Sequence, residues 1–365
     1  MTWRGGPAFG RTDRFHQPWG NNSNRASIYR KNLINQTPLY PLRFEPIYQY
    51  RLWGGRRLAG LLSAPLPSDG PIGEAWLLSD RDDHASVVAN GPLKGKTIGQ
   101  VLQQSSEGIL GKLAGRFSRF PLLLKFLDVR ERLSVQVHPR DTDAALIPEG
   151  ETGKTEAWVV LEDGPESRIY AGLKPSTTAD NLRDAIANGA VEAHLTSFVP
   201  NPGDSVLVRA GTVHSLNDVV VFEVQENSDV TFRLYDWDHI DPKTGTRRPL
   251  QVDQALACID FAQVEIGPVV SVVEEMTPVL RERLFLCDHF GVWRIRGEGA
   301  PFTVGMPETP RVLVCIAGDG QLKHGDADYA FGKGDVILLP AAVGTCACHP
   351  HGAVSLLEIS LPEAQ

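Results

Sequence analysis

The sequence has no run of about 18 apolar residues, so no transmembrane helix is expected. It opens Met1-Thr-Trp-Arg-Gly-Gly, without the apolar core of a secretory signal. Cysteine is scarce and unpaired in number. The five residues Cys258, Cys287, Cys315, Cys346 and Cys348 all fall in the last third of the 365-residue chain. That usage excludes a disulfide scaffold and is expected of a reduced, cytoplasmic protein. Positive charge is also short: 36 Lys and Arg stand against 44 Asp and Glu, a net charge of −8. Such a balance disfavours nucleic acid as a partner but leaves room for an anionic small molecule in a locally basic pocket. The length allows two or three domains, and the 42% hydrophobic and 22% charged content is that of a globular chain.

Residues 1–38 are rich in Asn, Arg and Gly, with Asp13 their only acid, and read as a disordered or loosely attached leader. From Tyr40 onward short β segments alternate with a few helices. Thr97–Gly111 carries a helical stripe of Ile98, Val101 and Leu102, and 177–190 another of Leu182, Ala185 and Ile186. Leu133–His138 alternates strictly, and Thr155–Leu161 reads as a strand ended by Glu162-Asp-Gly-Pro165. Regular short strands between turn signals point to a β-sandwich or barrel. Gly203-Asp-Ser-Val-Leu-Val-Arg-Ala recurs as Gly334-Asp-Val-Ile-Leu-Leu-Pro-Ala341, and ungapped alignment puts Thr345 in the place of His214. Two related β modules follow, one spanning 39–265 and built for chemistry, the other spanning 266–365 and lacking the imidazole.

The chemistry concentrates on the Leu133–His138 strand. Its period of two turns Ser134, Gln136 and His138 to one face and Leu133, Val135 and Val137 to the other. An amide oxygen and an imidazole two residues apart suit a metal, and Glu156 and His214 offer a carboxylate and a second imidazole. Gln136, His138, Glu156 and His214 together are a borderline-hard set that suits Zn²⁺, with Mn²⁺, Fe²⁺ and Co²⁺ open as alternatives. Their spacing is not that of a zinc finger, so the fold must assemble them. Lys154 is either a substrate-facing cation or a solvated partner of Glu151. Lys125 sits in an apolar run, where a buried ion pair explains it as well as a substrate contact. The run Cys346-Ala-Cys348-His349-Pro-His351 invites a second metal reading, but its spacing favours a structural role.

Five ordered motifs together resemble one family: Leu122-Leu-Leu-Lys-Phe-Leu-Asp128, Leu133-Ser-Val-Gln-Val-His-Pro139, Gly153-Lys-Thr-Glu156, Ala210-Gly-Thr-Val-His214 and Phe232-Arg-Leu-Tyr-Asp-Trp237. The chain is similar to type I mannose-6-phosphate isomerases of the shorter bacterial form. The resemblance implies a mainly β fold of cupin-like, jelly-roll barrels with a helical insertion, the second barrel degenerate. It implies one zinc ion per chain held by Gln136, His138, Glu156 and His214, with Arg233 as the active-site arginine and Lys154 lining the substrate site. The residues themselves agree: Thr231, Arg233 and Tyr235 alternate onto one face, and a guanidinium suits an enediolate or a phosphate. A salt bridge from Arg233 to Asp236 or Asp229 is the plainer alternative. The family commonly has an acid directly after His-Pro, whereas this chain has Arg140 and then Asp141, a change expected to alter the rim of the site.

The implied reaction interconverts mannose 6-phosphate and fructose 6-phosphate through an enediol-type intermediate, with a sugar phosphate as the only partner expected. Metal-bound water, Glu223 and a neutral Lys154 all stay open as the base. Two rivals come from other classes. A metal-dependent cupin oxygenase would favour Fe²⁺ and more histidine ligands. A non-catalytic sugar-phosphate-binding cupin would keep the pocket without turnover.

Overall fold

The computed structural model describes residues 38–262 and 266–362. The expected leader lies outside them, apart from its last residue. The described strands form three sheets of nine, seven and four strands. No helix among the described residues is long and apolar enough to cross a membrane.

The nine-stranded sheet is organised by two long neighbours, His214–Glu226 and Glu156–Leu173. His214–Glu226 also pairs with Leu122–Val129 and, at its start, with Val135–Val137. Phe232–Tyr235 adds to the far side of Val135–Val137, and Ile72–Leu78 to the far side of Leu122–Val129. Leu122–Val129 and Ile72–Leu78 are buried at every position, so their sequences read as near-continuous apolar runs. The Thr155–Leu161 segment does not stop at Glu162. The strand runs on to Leu173 through register shifts at Val160/Glu162 and Asp163/Arg168, and these bulges absorb Pro165, which has no N–H for the ladder.

Both helical stripes are present. Ile98–Gln104 and Ala179–Ala187 each open on a capping box, from Thr97 with Gln100 and from Thr178 with Asn181. Ser105 interrupts the first stripe, and Ser106–Leu110 follows as a separate short helix that buries Ile109. A further helix, Val252–Cys258, lacks a clear periodic signal in the sequence.

The internal repeat is real at the level of hydrogen bonds. Gly203 and Gly334 take φ of +93° and +90°, which glycine adopts without Cβ strain. Each donates its N–H to the facing strand, at Val160 O and Cys315 O, 2.8 Å in both cases. Asp204 and Asp335 close the same turn, accepting from the N–H of Asn201 (2.8 Å) and Gly332 (2.7 Å). Val208 and Leu339 correspond in the two copies, and the residues paired across from them are Glu156 and Arg311. The second barrel thus carries a buried guanidinium where the first carries a carboxylate. Arg311 donates to Thr309 Oγ1 (3.2 Å) and Pro310 O (3.0 Å).

The two barrels share a core. One contiguous cluster joins Phe126 and Phe222 of the first to Phe290, Val314 and Leu357 of the second. The first described strand, Leu42–Arg43, pairs with Val336–Leu339 in the seven-stranded sheet. Phe222 is 1% exposed and meets Phe126 edge-on at 5.6 Å. Phe222→Ala is expected to cost about 3–5 kcal/mol from lost burial plus cavity formation. Chemical denaturation should show a lower midpoint with an unchanged slope.

Candidate active site

Sheet register brings the site together as two rows. Arg233 pairs with Gln136, which pairs in turn with His214, so residues from three strands stand side by side. A second row runs Trp76, Lys125, Glu223 and Trp158 across four strands. Most of both rows lines a cavity of about 410 Å³, together with Arg51, Glu74, Lys154 and Glu156. That volume suits a small ligand.

At its floor lies Glu156, backed by His138 and His214, all three buried and with ligand atoms within 4.8 Å of one another. His138 Nδ1 lies 2.8 Å from Val230 O, and His214 Nδ1 lies 2.9 Å from Thr212 O. A carbonyl only accepts, so each Nδ1 carries the proton and each Nε2 presents a lone pair. Burial, then the Lys154 charge, hold the His138 pKa down to about 3, and burial lowers that of His214. Both rings are therefore neutral. The two oxygens of Glu156 face these lone pairs at 3.3 Å each. Burial would raise the Glu156 pKa, but the Lys154 ammonium, the largest opposing charge, holds it well below the carboxylate range. Lone pair faces lone pair with no proton between them, and Glu156 Oε2 accepts no well-aligned hydrogen bond. A cation is what this donor set fits, and each imidazole already has the carbonyl partner that orients metal-binding histidines.

Gln136 presents its amide nitrogen, not its oxygen, to His214 Nε2 at 3.1 Å. The oxygen reaches that position by a half-turn of the amide. Lys154 is not a solvated partner of Glu151, which pairs with Arg81 instead. It is buried, with Nζ 2.8 Å from Glu156 Oε2 and 3.1 Å from His138 Nε2.

All the cations on the cavity wall but one are committed to a carboxylate. Arg51 pairs with Glu74 (2.9 Å), Lys125 with Glu223 (3.0 Å) and Arg248 with Asp236 (2.9 Å). Arg233 differs. Its guanidinium makes no ion pair or hydrogen bond with the described residues, and its Nε is buried without a partner. The salt bridge to Asp236 is absent because Arg248 holds that carboxylate. Burial and then the Arg248 charge press the Arg233 pKa down, yet a guanidinium stays protonated. A half-buried cation on the wall of the same cavity, unpaired among the described residues, has the chemistry to accept an anion.

Glu223 accepts from Trp158 Nε1 at 2.8 Å, as Glu74 does from Trp76 Nε1 at 2.6 Å. Burial, then Glu156, raises the Glu223 pKa. Glu74 goes the other way, to about 2, because Lys125 and Arg51 outweigh the cost of its burial.

Several expectations change. Tyr235 leaves the face of Thr231 and Arg233, since the register shifts between Arg233 and Tyr235, and its ring packs on Trp237. Arg140 does not line the cavity. It turns to the end of the Val252–Cys258 helix, 3.2 Å from Asp260 Oδ2. The structural role favoured for Cys346 and Cys348 agrees with their place in the second barrel's core, while His351 pairs with Asp319 at its surface. Arg51, Glu74 and Arg248 were not singled out in the sequence. Glu74 had a signal, a carboxylate inside the apolar run Ile72-Gly-Glu-Ala-Trp-Leu-Leu78, two residues from a tryptophan on its own face.

The family model described as phosphomannose isomerase type I, catalytic domain, matches residues 42–156. Mannose-6-phosphate isomerase ManA of Bacillus subtilis is 35% identical over 308 residues, covering 83% of this chain and 94% of the relative. The mannose-6-phosphate isomerase of Streptococcus mutans is 34% identical over 308 residues, covering 83% and 93%. The crystal structure of the mannose 6-phosphate isomerase from Bacillus subtilis superposes with a TM-score of 0.80 at 31% identity, covering 88% of this chain and all of that one (100%). A phosphomannose isomerase variant from Salmonella typhimurium shares the fold, with a TM-score of 0.73 at 16% identity, covering 89% and 100%. With the cupin-like barrel, the lone-pair-lined floor and relatives that match over most of their length, the chain belongs to the type I phosphomannose isomerase family of enzymes.

Proposed function

We propose that this chain is a zinc-dependent aldose–ketose isomerase that interconverts mannose 6-phosphate and fructose 6-phosphate through an enediol-type intermediate. The observation that carries the reading is the cluster at the cavity floor, where two Nε2 lone pairs and the Glu156 carboxylate converge, with Arg233 on the wall of the same cavity and unpaired among the described residues. His138, Glu156 and His214 would hold zinc, with Gln136 as a fourth ligand through its oxygen. Bound there, zinc would polarise or orient sugar oxygens next to the carbon that loses its proton.

The chain's own groups supply the rest. The proton next to a carbonyl is weakly acidic, and its removal builds negative charge on oxygen, which Arg233 is placed to stabilise. Glu223 suits the proton carrier. It is buried at the cavity wall, burial and the nearby Glu156 raise its pKa, and Trp158 fixes one oxygen, leaving the other toward Lys125. Lys154, paired with Glu156, is positioned to donate to a substrate oxygen at the floor.

Metal analysis of the purified protein, with a coupled assay on mannose 6-phosphate before and after chelation, tests this. One zinc per chain, loss of turnover on chelation and its return with zinc are the expected results. No turnover with zinc fully bound would sink the proposal, and bound iron with oxygen consumption would replace it with an oxygenase.

A further inference from the structure

Outside the cavity, Asp141, Glu226 and His289 bring their side-chain donor atoms within 4.8 Å of one another. None of the three lines the metal-type floor. What they touch instead is the backbone of the segment that carries Lys154. Glu226 is buried, and its Oε2 accepts the Thr155 N–H at 2.7 Å. Asp141 Oδ1 accepts the Gly153 N–H at 2.8 Å. Between them the Lys154 N–H donates to Pro139 O at 3.0 Å, next to His138. Three successive amides are therefore fixed, two of them by carboxylates.

Two carboxylates this close repel each other, and one of them is buried, so the clasp needs a counter-charge. His289 provides it, with Nδ1 3.0 Å from Glu226 Oε1. Its hydrogen bond to Glu226 raises its pKa, and the charges of Glu226, Asp141 and Asp288 add to this. His289 comes from the turn between Leu280–Leu286 and Gly291–Glu298, in the barrel that has no metal-type floor of its own.

We propose that His289 is a positioning residue, which by neutralising Glu226 and Asp141 keeps them clasped on the Gly153 and Thr155 amides and so fixes Lys154 and Glu156 at the cavity floor. The second barrel then contributes to the reaction through one imidazole. The proposal rests on the isomerase reading of Lys154 and Glu156 for its catalytic consequence, though not for the clasp itself.

The test uses the full-length, metal-loaded protein with His289→Ala and His289→Lys, the latter restoring a positive charge toward Glu226. His289→Ala should lower kcat about tenfold, the scale of an outer-shell loss, with KM for mannose 6-phosphate held within about twofold. Amide exchange should quicken at Gly153 and Thr155 while the rest of the barrel keeps its protection, and His289→Lys should recover both. Unchanged exchange at these two amides would overturn the proposal. So would a loss of kcat that tracks a general fall in protection and is not recovered by lysine, or a second equivalent of zinc released by His289→Ala, which would make the cluster a metal site. If the metal-loaded parent does not turn over mannose 6-phosphate, the isomerase reading falls, and the exchange arm still decides the clasp.

Discussion

Glu156→Gln is expected to strip the metal from the protein and lower kcat/KM by about 10³-fold or more. The substitution keeps the shape of the side chain and removes only its charge. In the native site that charge faces two imidazole lone pairs at 3.3 Å and the Lys154 ammonium at 2.8 Å, with all four groups buried. A neutral amide leaves Lys154 without a counter-ion, and breaking a buried pair in this way costs about 3–5 kcal/mol. A separate loss, of the metal's charge stabilisation in the transition state at about 4 kcal/mol, corresponds to three powers of ten in rate. The measurement is zinc content by elemental analysis together with steady-state rates at saturating zinc. A Gln variant that holds zinc as the parent does would remove Glu156 from the ligand set. Stability carries a second signature. The parent should gain thermal stability on zinc addition by mass action, and the variant should not.

The floor of the site was legible in the sequence because each of its parts leaves a local mark. Gln136 and His138 are marked by strict alternation in Leu133–His138, although the ladder itself keeps only Val135–Val137. His214 is marked by the repeat, whose turn at Gly203-Asp204 is rebuilt at Gly334-Asp335, and by Thr345 standing in its place. Glu156 is two residues from Lys154 at a strand start. The walls were less legible, since what decides them is pairing between distant strands. Nothing near Arg233 reveals that Asp236 is taken by Arg248, which leaves Arg233 free. Nothing near Lys125 reveals that Glu74 and Glu223 flank it from two other strands. Period-two reasoning placed Tyr235 beside Arg233 and failed there because one bulge reverses the face of every residue beyond it. The same cause hid the continuation of the Glu156–Leu173 strand, where a Gly-Pro that usually ends a strand is carried in a bulge.

Arg233→Ala should lower kcat/KM for mannose 6-phosphate about 10²–10³-fold, the cost of removing one donor aimed at developing negative charge. Zinc content should not change, because Arg233 stands beside Gln136 in the sheet and outside the His138–Glu156–His214 cluster. Stability should hold or rise. Arg233 is a partly buried cation with no ion pair among the described residues, so its removal relieves desolvation without orphaning a carboxylate. Arg248→Ala should do the opposite, leaving buried Asp236 uncompensated and lowering the melting temperature. Arg233→Lys separates charge from geometry. The ammonium keeps the positive charge but loses the planar fork that grips a phosphate or carboxylate-like group with two parallel hydrogen bonds, so only part of the rate should return. Steady-state rates, zinc analysis and thermal melts on the three variants decide the matter. Full activity in Arg233→Ala would take this residue out of the mechanism. A melting temperature lowered as far as in Arg248→Ala would show that Arg233 is held by a structural partner and is not kept free for the substrate.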